Sequence, residues 1–210
     1  MHTLTHFRLC PFSRAVRLAL GELDMEVELV EERPWEWRPE FLALNPAGEL
    51  PVLQLEDGPT VCGAYAISEY LDETGPGGPD TTPAAALFPG DRAERAEVRR
   101  LVDWFSGKLN REVTQELLTE KVYARLQPGG HATTPEVDVL RAIRSNLRYH
   151  MSYICHLAER RHWLAGEELS FADLAAAAQL SSVDYLGEVP WEEFETAKVW
   201  YARLKSRRAF

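Results

Sequence analysis

A glycine- and proline-rich stretch at residues 75–90 constrains this chain more than any other feature. It opens Gly75-Pro76-Gly77-Gly78-Pro79 and closes Phe88-Pro89-Gly90. Proline lacks a backbone N–H and glycine is conformationally free, so such a stretch holds neither a regular helix nor a strand. The chain is therefore expected to fold as residues 1–74, a linker over 75–90, and residues 91–210. A length of 210 residues suits two small domains sharing an interface.

The two sides of the break read differently. Before it, strands are expected at 3–7, 26–30 and 51–54, with a fourth beginning at Val61-Cys62 after an Asp57-Gly58 hairpin turn. Helices are expected at 13–21, 37–44 and 65–72, giving the order β-α-β-α-β-β-α. After the break everything reads helical. Val98, Leu101, Val102, Phe105, Leu109, Val113 and Leu117 form one apolar stripe along residues 92–126. A break at 127–135 precedes a second stripe, Leu140, Ile143, Leu147, Met151, Ile154 and Leu157. Ser170 with Asp173 reads as a capping-box-like start to an alanine-rich helix over 171–186, and a last helix covers 195–205.

Charge and cysteine content exclude several function classes. The net charge is −10 and no basic patch interleaves with aromatics, which argues against a nucleic-acid partner. Three cysteines, Cys10, Cys62 and Cys155, are too few and too odd for a secreted disulfide scaffold. Residues 1–6 lack the basic and apolar regions of a signal peptide, and no apolar run approaches the roughly 18–20 residues of a membrane span. The expectation is a cytoplasmic protein with no membrane span. The histidines show no metal-ligand spacing, so no metal is expected.

Four local patterns occur in order: Cys10-Pro11-Phe12-Ser13-Arg14, Asn45-Pro46-Ala47-Gly48-Glu49-Leu50-Pro51, Ala66-Ile67-Ser68-Glu69-Tyr70-Leu71, and Ser170-Phe171-Ala172-Asp173. Together they cover most of the chain and resemble the cytosolic glutathione transferases. The resemblance implies a thioredoxin-like N-terminal domain, an all-helical C-terminal domain and a homodimer. Cys10 resembles the active cysteine of the omega class, where glutathione is held as a mixed disulfide. A helix start favours thiolate, which lowers a thiol's pKa; a small buried thiol without chemical use is the equal alternative. Ser13 is the other nearby hydroxyl or thiol for activating glutathione.

The resemblance also implies a glutathione site built from Phe12, Leu50, Pro51, Gly63 and Ala64, with Leu50-Pro51 at the family's cis-proline. Here the sequence departs. The family places Glu/Gln-Ser before the third helix to grip the γ-glutamyl end, and this chain has Gly63-Ala64. Losing one charge-assisted and one neutral hydrogen bond lowers affinity on the order of 10- to 10³-fold. Glutathione is thus expected to bind weakly or not at all. Trp104, Lys108 and Arg111 are expected at the co-substrate cleft.

A second surface is expected at Trp35, Trp37 and Arg38, because tryptophan and arginine dominate interface hot spots; the alternative is that one tryptophan packs on the core and the other stacks on an arginine. Glu32-Arg33-Pro34-Trp35, Leu101-Val102-Asp103-Trp104-Phe105 and Asp184-Tyr185-Leu186-Gly187 resemble a bacterial subgroup of transferase-like cell-division proteins. That subgroup binds the tubulin-like division filament protein FtsZ. The resemblance implies a protein-binding regulator of the division filament; the alternative is a glutathione-dependent thiol transferase, reductase or transferase using Cys10.

Overall fold

The computed structural model describes residues 1–74, 86–126 and 136–210. Most of the expected linker, the break at 127–135 and His131 lie outside the described residues.

The N-terminal half runs β1 (His2–His6), α1 (Pro11–Glu22), β2 (Val27–Glu31), α2 (Pro39–Leu44), β3 (Val52–Gln54), β4 (Thr60–Cys62) and α3 (Ala64–Thr74). The order matches the expectation, with each boundary within about two residues. The strands form one sheet ordered β2-β1-β3-β4. β1 pairs parallel with β2 and antiparallel with β3, and β3 pairs antiparallel with β4 through the expected hairpin. A parallel β1–β2 pair needs a crossover, which α1 supplies. α1 buries Ala15, Val16, Leu18, Ala19 and Leu20, spaced to cover one helix face.

The C-terminal half is helical. α4 (Arg92–Asp103) starts at a complete capping box: Asp91 Oδ1 accepts from Glu94 N at 3.0 Å, and Glu94 Oε2 accepts from Asp91 N at 2.7 Å. The helix continues without a break, but from Trp104–Thr114 and again over Thr119–Tyr123 it widens to i→i+5 hydrogen bonding. α5 (Gln115–Leu118) and α6 (Ala124–Leu126) are the ordinary turns after each wide segment. The apolar spacing accounts for this. Phe105, Leu109, Val113 and Leu117 are fully buried and follow each other by steps of four. In an α-helix each such step drifts about 40° around the axis. Wider turns offset that drift and keep all four against the core.

α7 (Val137–Ala158), α8 (Phe171–Tyr185) and α9 (Glu195–Lys205) complete the bundle. α8 is buried from Phe171 to Leu180 and packs on both α1 and the wide-turn segment. Its many alanines allow close approach on all sides, which is how one helix serves both halves of the molecule. Asp173 fixes its start. It accepts from Leu164 N at 2.8 Å, Trp200 Nε1 at 3.0 Å, Ser170 N at 3.2 Å and Ser170 Oγ at 3.1 Å. Burial pushes its carboxyl up, and these four donors oppose that push.

Most of the buried side chains form one continuous core spanning both halves. A smaller cluster, Phe7, Phe41, Leu50 and Val52, lies apart, with Cys10, Cys62, Trp35 and Tyr123 packed against it. Phe7 and Leu50 of this second cluster reach the cleft described below. Among the described residues no helix is long and apolar enough to cross a membrane.

Candidate functional site

A cleft of about 890 Å³ opens between the sheet half and the helical half. That volume falls in the range of small-molecule and peptide pockets. Its sheet-side wall includes Cys10, Phe12, Leu50, Gly63 and Ala64; its helical wall is Ser106, Asn110, Gln115 and Tyr123.

Cys10 is the N-cap of α1, and its Sγ accepts from Ser13 N at 3.5 Å. That is the placement the sequence suggests, with Pro11 in the first turn where its missing N–H costs nothing. Of the two alternatives open for this thiol, the electrostatics favour the buried one. Burial pushes the Cys10 thiol up, and the hydrogen bonds from Ser13 and Phe12 oppose it without prevailing. Cys10 packs against the Phe7, Phe41, Leu50 and Val52 cluster, as do Trp35 and Tyr123 from far along the chain. Ser13 does not face the cleft: it is fully buried, and its Oγ accepts from Phe7 N at 3.4 Å. The expectation that Ser13 could act on a ligand is therefore corrected by its inward orientation.

Leu50-Pro51 is cis, as the resemblance implies. Gly63 has φ +87, a region that favours glycine, and its N–H donates to Pro51 O at 2.9 Å. A Cβ at Gly63 would meet nothing within 4 Å, so a side chain there would project into open space. Ala64 opens α3, and the first N–H groups of a helix lack intrahelical partners. This side of the cleft thus keeps its backbone geometry but offers neither the carboxylate nor the hydroxyl of the family pattern. Cys62 also lines the cleft, with its thiol pushed up by burial. All three cysteines are free.

The segment expected as a separate surface proves continuous with the cleft. Trp35 stands edge-on to Phe7, with centroids 5.1 Å apart, and lies 5.6 Å from Tyr123. Trp37 adopts φ +49 at the end of the turn Pro34–Glu36, is 63% exposed, and sits on the cleft rim beside Gly48. Arg38 does not face outward freely: its guanidinium pairs at 3.1 Å with Glu32, which is only 4% exposed. Arg38 therefore braces the loop from which both tryptophans project.

Trp104, Lys108 and Arg111 do not line the cleft. Trp104 Nε1 donates to His150 Nδ1 at 3.2 Å, and His150 Nε2 bonds Glu112 Oε2 at 3.1 Å. Lys108 pairs with Glu112 and lies over the Trp104 and Tyr149 rings at 5.8 and 5.6 Å. These groups face α7. Burial lowers the pKa of His150, which keeps the ring neutral and able to serve both partners. Arg111 is exposed. The wide turns explain the error, since they rotate Ser106, Asn110 and Gln115 into the cleft where ordinary helical spacing would suggest others. The unbroken steps of four in the apolar stripe were the available signal. Among the described residues no group of three or more His, Cys, Asp or Glu is placed to hold a metal ion.

Residues 4–79 match the profile of the glutathione S-transferase N-terminal domain and residues 123–208 that of its C-terminal domain. The chain is 46% identical over 211 aligned residues to FtsZ-localized protein A of Caulobacter vibrioides, covering 99% of this chain and 88% of that one. A glutathione S-transferase structure from Sinorhizobium meliloti superposes with TM-score 0.93 at 46% identity, covering 100% and 90% of the two chains. A glutathione S-transferase from Methylobacillus flagellatus, solved with glutathione bound, superposes with TM-score 0.73 at 26% identity, covering 100% and 96%. With both domain profiles matched, the cis Leu50-Pro51 cleft in place and full-length similarity to such relatives, this chain belongs to the glutathione S-transferase family.

Proposed function

We propose that this protein is a non-classical member of the family whose task is to bind a protein partner, the tubulin-like division filament protein. The observation that carries the reading is the cleft itself. It keeps the family backbone but lacks the Glu/Gln-Ser pair, and its rim carries an exposed tryptophan, Trp37, on a loop braced by Arg38. The similarity to FtsZ-localized protein A supports the choice of partner. On this reading the protein works in the cytoplasm as a homodimer, with residues 1–74 and 91–210 as its two domains joined through 75–90, and glutathione binds weakly or not at all.

Co-sedimentation with polymerised FtsZ at physiological salt tests it. The protein should pellet with the filaments, and Trp37→Ala should raise the apparent Kd for filaments at least about 10-fold, the loss of one interface hot spot. A protein that stays in the supernatant at every filament concentration refutes the reading.

A second reading rests on the N-cap position of Cys10, which would act in glutathione-dependent thiol transfer. Activity against a glutathione mixed disulfide that Cys10→Ser abolishes would support it. Activity unchanged in Cys10→Ser would remove it.

A further inference from the structure

His150 on α7 is fully buried and bonded at both ring nitrogens. Nδ1 lies 3.2 Å from Trp104 Nε1, and Nε2 lies 3.1 Å from Glu112 Oε2. An indole N–H can only donate, so Nδ1 must accept. The one proton of the neutral ring then sits on Nε2 and is donated to the Glu112 carboxylate. The two partners thus fix one tautomer, and they fix the ring as neutral, because a proton on Nδ1 would set two N–H donors against each other.

Both partners belong to the wide-turn segment Trp104–Thr114. On an ordinary α-helix, residues spaced like these two point about 80° apart around the axis. One imidazole reaches both because the wide turns take up that drift. The two ends are held unequally. Glu112 also pairs with Lys108, and its backbone carbonyl accepts from Asn146 Nδ2 at 3.2 Å. Among the described residues Trp104 Nε1 bonds only His150; its ring otherwise packs on Tyr153 and Tyr149, with centroids 4.6 and 6.1 Å away. Burial is the largest influence on the His150 ring and opposes a second proton. Glu112 favours that proton and Lys108 opposes it; α5 and α9, also packed against α7, bring no charged group to the ring, and Tyr149 of α7 itself stands edge-on with centroids 5.4 Å apart.

We propose that His150 is an acid-released clamp: its neutral ring ties Trp104 to Glu112 and holds the segment between them at its wide pitch, and a second ring proton frees the Trp104 end while the Glu112 end stays in place. Ser106 and Asn110, which line the cleft, lie between the two held residues, so the clamp sets the helical wall from outside the cleft. It is closed at neutral pH. Because the folded ring has its pKa lowered, it opens only as pH falls below the ordinary histidine value of 6.5 and through that lowered pKa. None of this depends on which partner the protein binds.

The test is an acid titration of the isotopically labelled full chain followed by NMR. At neutral pH the ring nitrogens of His150 should show the Nε2–H tautomer. As the ring takes its second proton, the Trp104 indole N–H and the amides of Trp104–Thr114 should lose hydrogen-exchange protection with the same midpoint, after correction for the pH dependence of intrinsic exchange. The expected loss is about 3- to 10-fold, the range of one neutral hydrogen bond, and the amides of α8 should not share it. Trp104→Phe keeps an aromatic ring against Tyr153 but removes the bond that favours the neutral imidazole. It should raise the His150 midpoint by about 0.4 to 1.1 in pH, an effect that a histidine serving only as packing would not show. The opposite tautomer, protection in the segment that ignores the His150 titration, a ring that stays neutral until the whole chain unfolds, or a midpoint that Trp104→Phe leaves unchanged or lowers would each overturn the proposal. The first three are read on wild type alone, so the test does not depend on how well the variant folds.

Discussion

Restoring the missing pair at the start of α3 should restore glutathione binding. The double substitution Gly63→Glu with Ala64→Ser puts back a carboxylate and a hydroxyl where the cleft has neither. A charge-assisted hydrogen bond contributes about 1.5–3 kcal/mol and a neutral one about 0.5–1.5 kcal/mol. The site is open to solvent, which weakens both, so a gain of about 10- to 10³-fold in affinity is expected. Space is not the obstacle, because a Cβ at Gly63 meets no atom within 4 Å. Backbone strain is: at φ +87 a glutamate costs about 1–3 kcal/mol of stability. For a chain of this size that lowers Tm by roughly 2–12 °C. Calorimetric titration of glutathione into wild type, each single variant and the double variant measures the gain, and a thermal melt without ligand measures the cost. If wild type and double variant bind glutathione equally, the Gly63-Ala64 pair does not limit affinity, and the reasoning fails. If the double variant gains affinity with no loss in Tm, the strain argument fails alone.

Two further predictions concern stability. Asp173→Ala leaves four donors without their acceptor and should cost about 3–5 kcal/mol, read as a lower urea midpoint at unchanged slope; an unmoved midpoint would contradict the role given to this carboxylate. Hydrogen bonds from Arg100 and then Arg161 lower the Glu97 carboxyl to about 2, so its contribution is complete above the unfolded carboxylate pKa and disappears as pH falls from about 4.5 towards 2. Glu97→Gln should therefore be about 1–3 kcal/mol less stable than wild type at pH 7, after allowance for partial exposure, and the gap should close by about pH 2; a gap constant with pH would rule out the ion pair as its cause.

Much of the fold was legible because its signals are local. Residues 45–51 announce the approach to β3, Asp57-Gly58 its hairpin, and Ser170-Asp173 the start of α8, each within a few residues of the feature it specifies. The site was legible on the sheet side for the same reason: Cys10, Phe12, Leu50 and Gly63 all reach the cleft. The rest depends on parts of the chain distant in sequence. The thiol of Cys10 is pushed up by burial where it packs against a cluster drawn from distant elements, Phe7, Phe41, Leu50 and Val52, and no helix-start rule carries that information. Of the two readings of Trp35 and Trp37, one surface or one ring on the core, Trp35 packs on Phe7 while Trp37 stands exposed, and which ring does which depends on a left-handed backbone at Trp37 that side-chain periodicity does not encode. On the helical side, Ser106, Asn110 and Gln115 were missed because the sequence was read with ordinary turns.

Those wide turns make the length of a helix, rather than its composition, a means of changing the cleft. An i→i+5 turn holds one more residue than the α-helical turn it replaces. Removing a single residue such as Gly107 would let one wide turn tighten to ordinary pitch, with α4 before it unaffected. The tightened turn takes up the deletion, so residues well beyond it keep their faces and only those within that turn change what they present to the cleft. The sheet-side wall, built from separate elements, would stay as it is. The helical wall of the cleft can thus be altered locally by a change of length while the opposite wall stays constant.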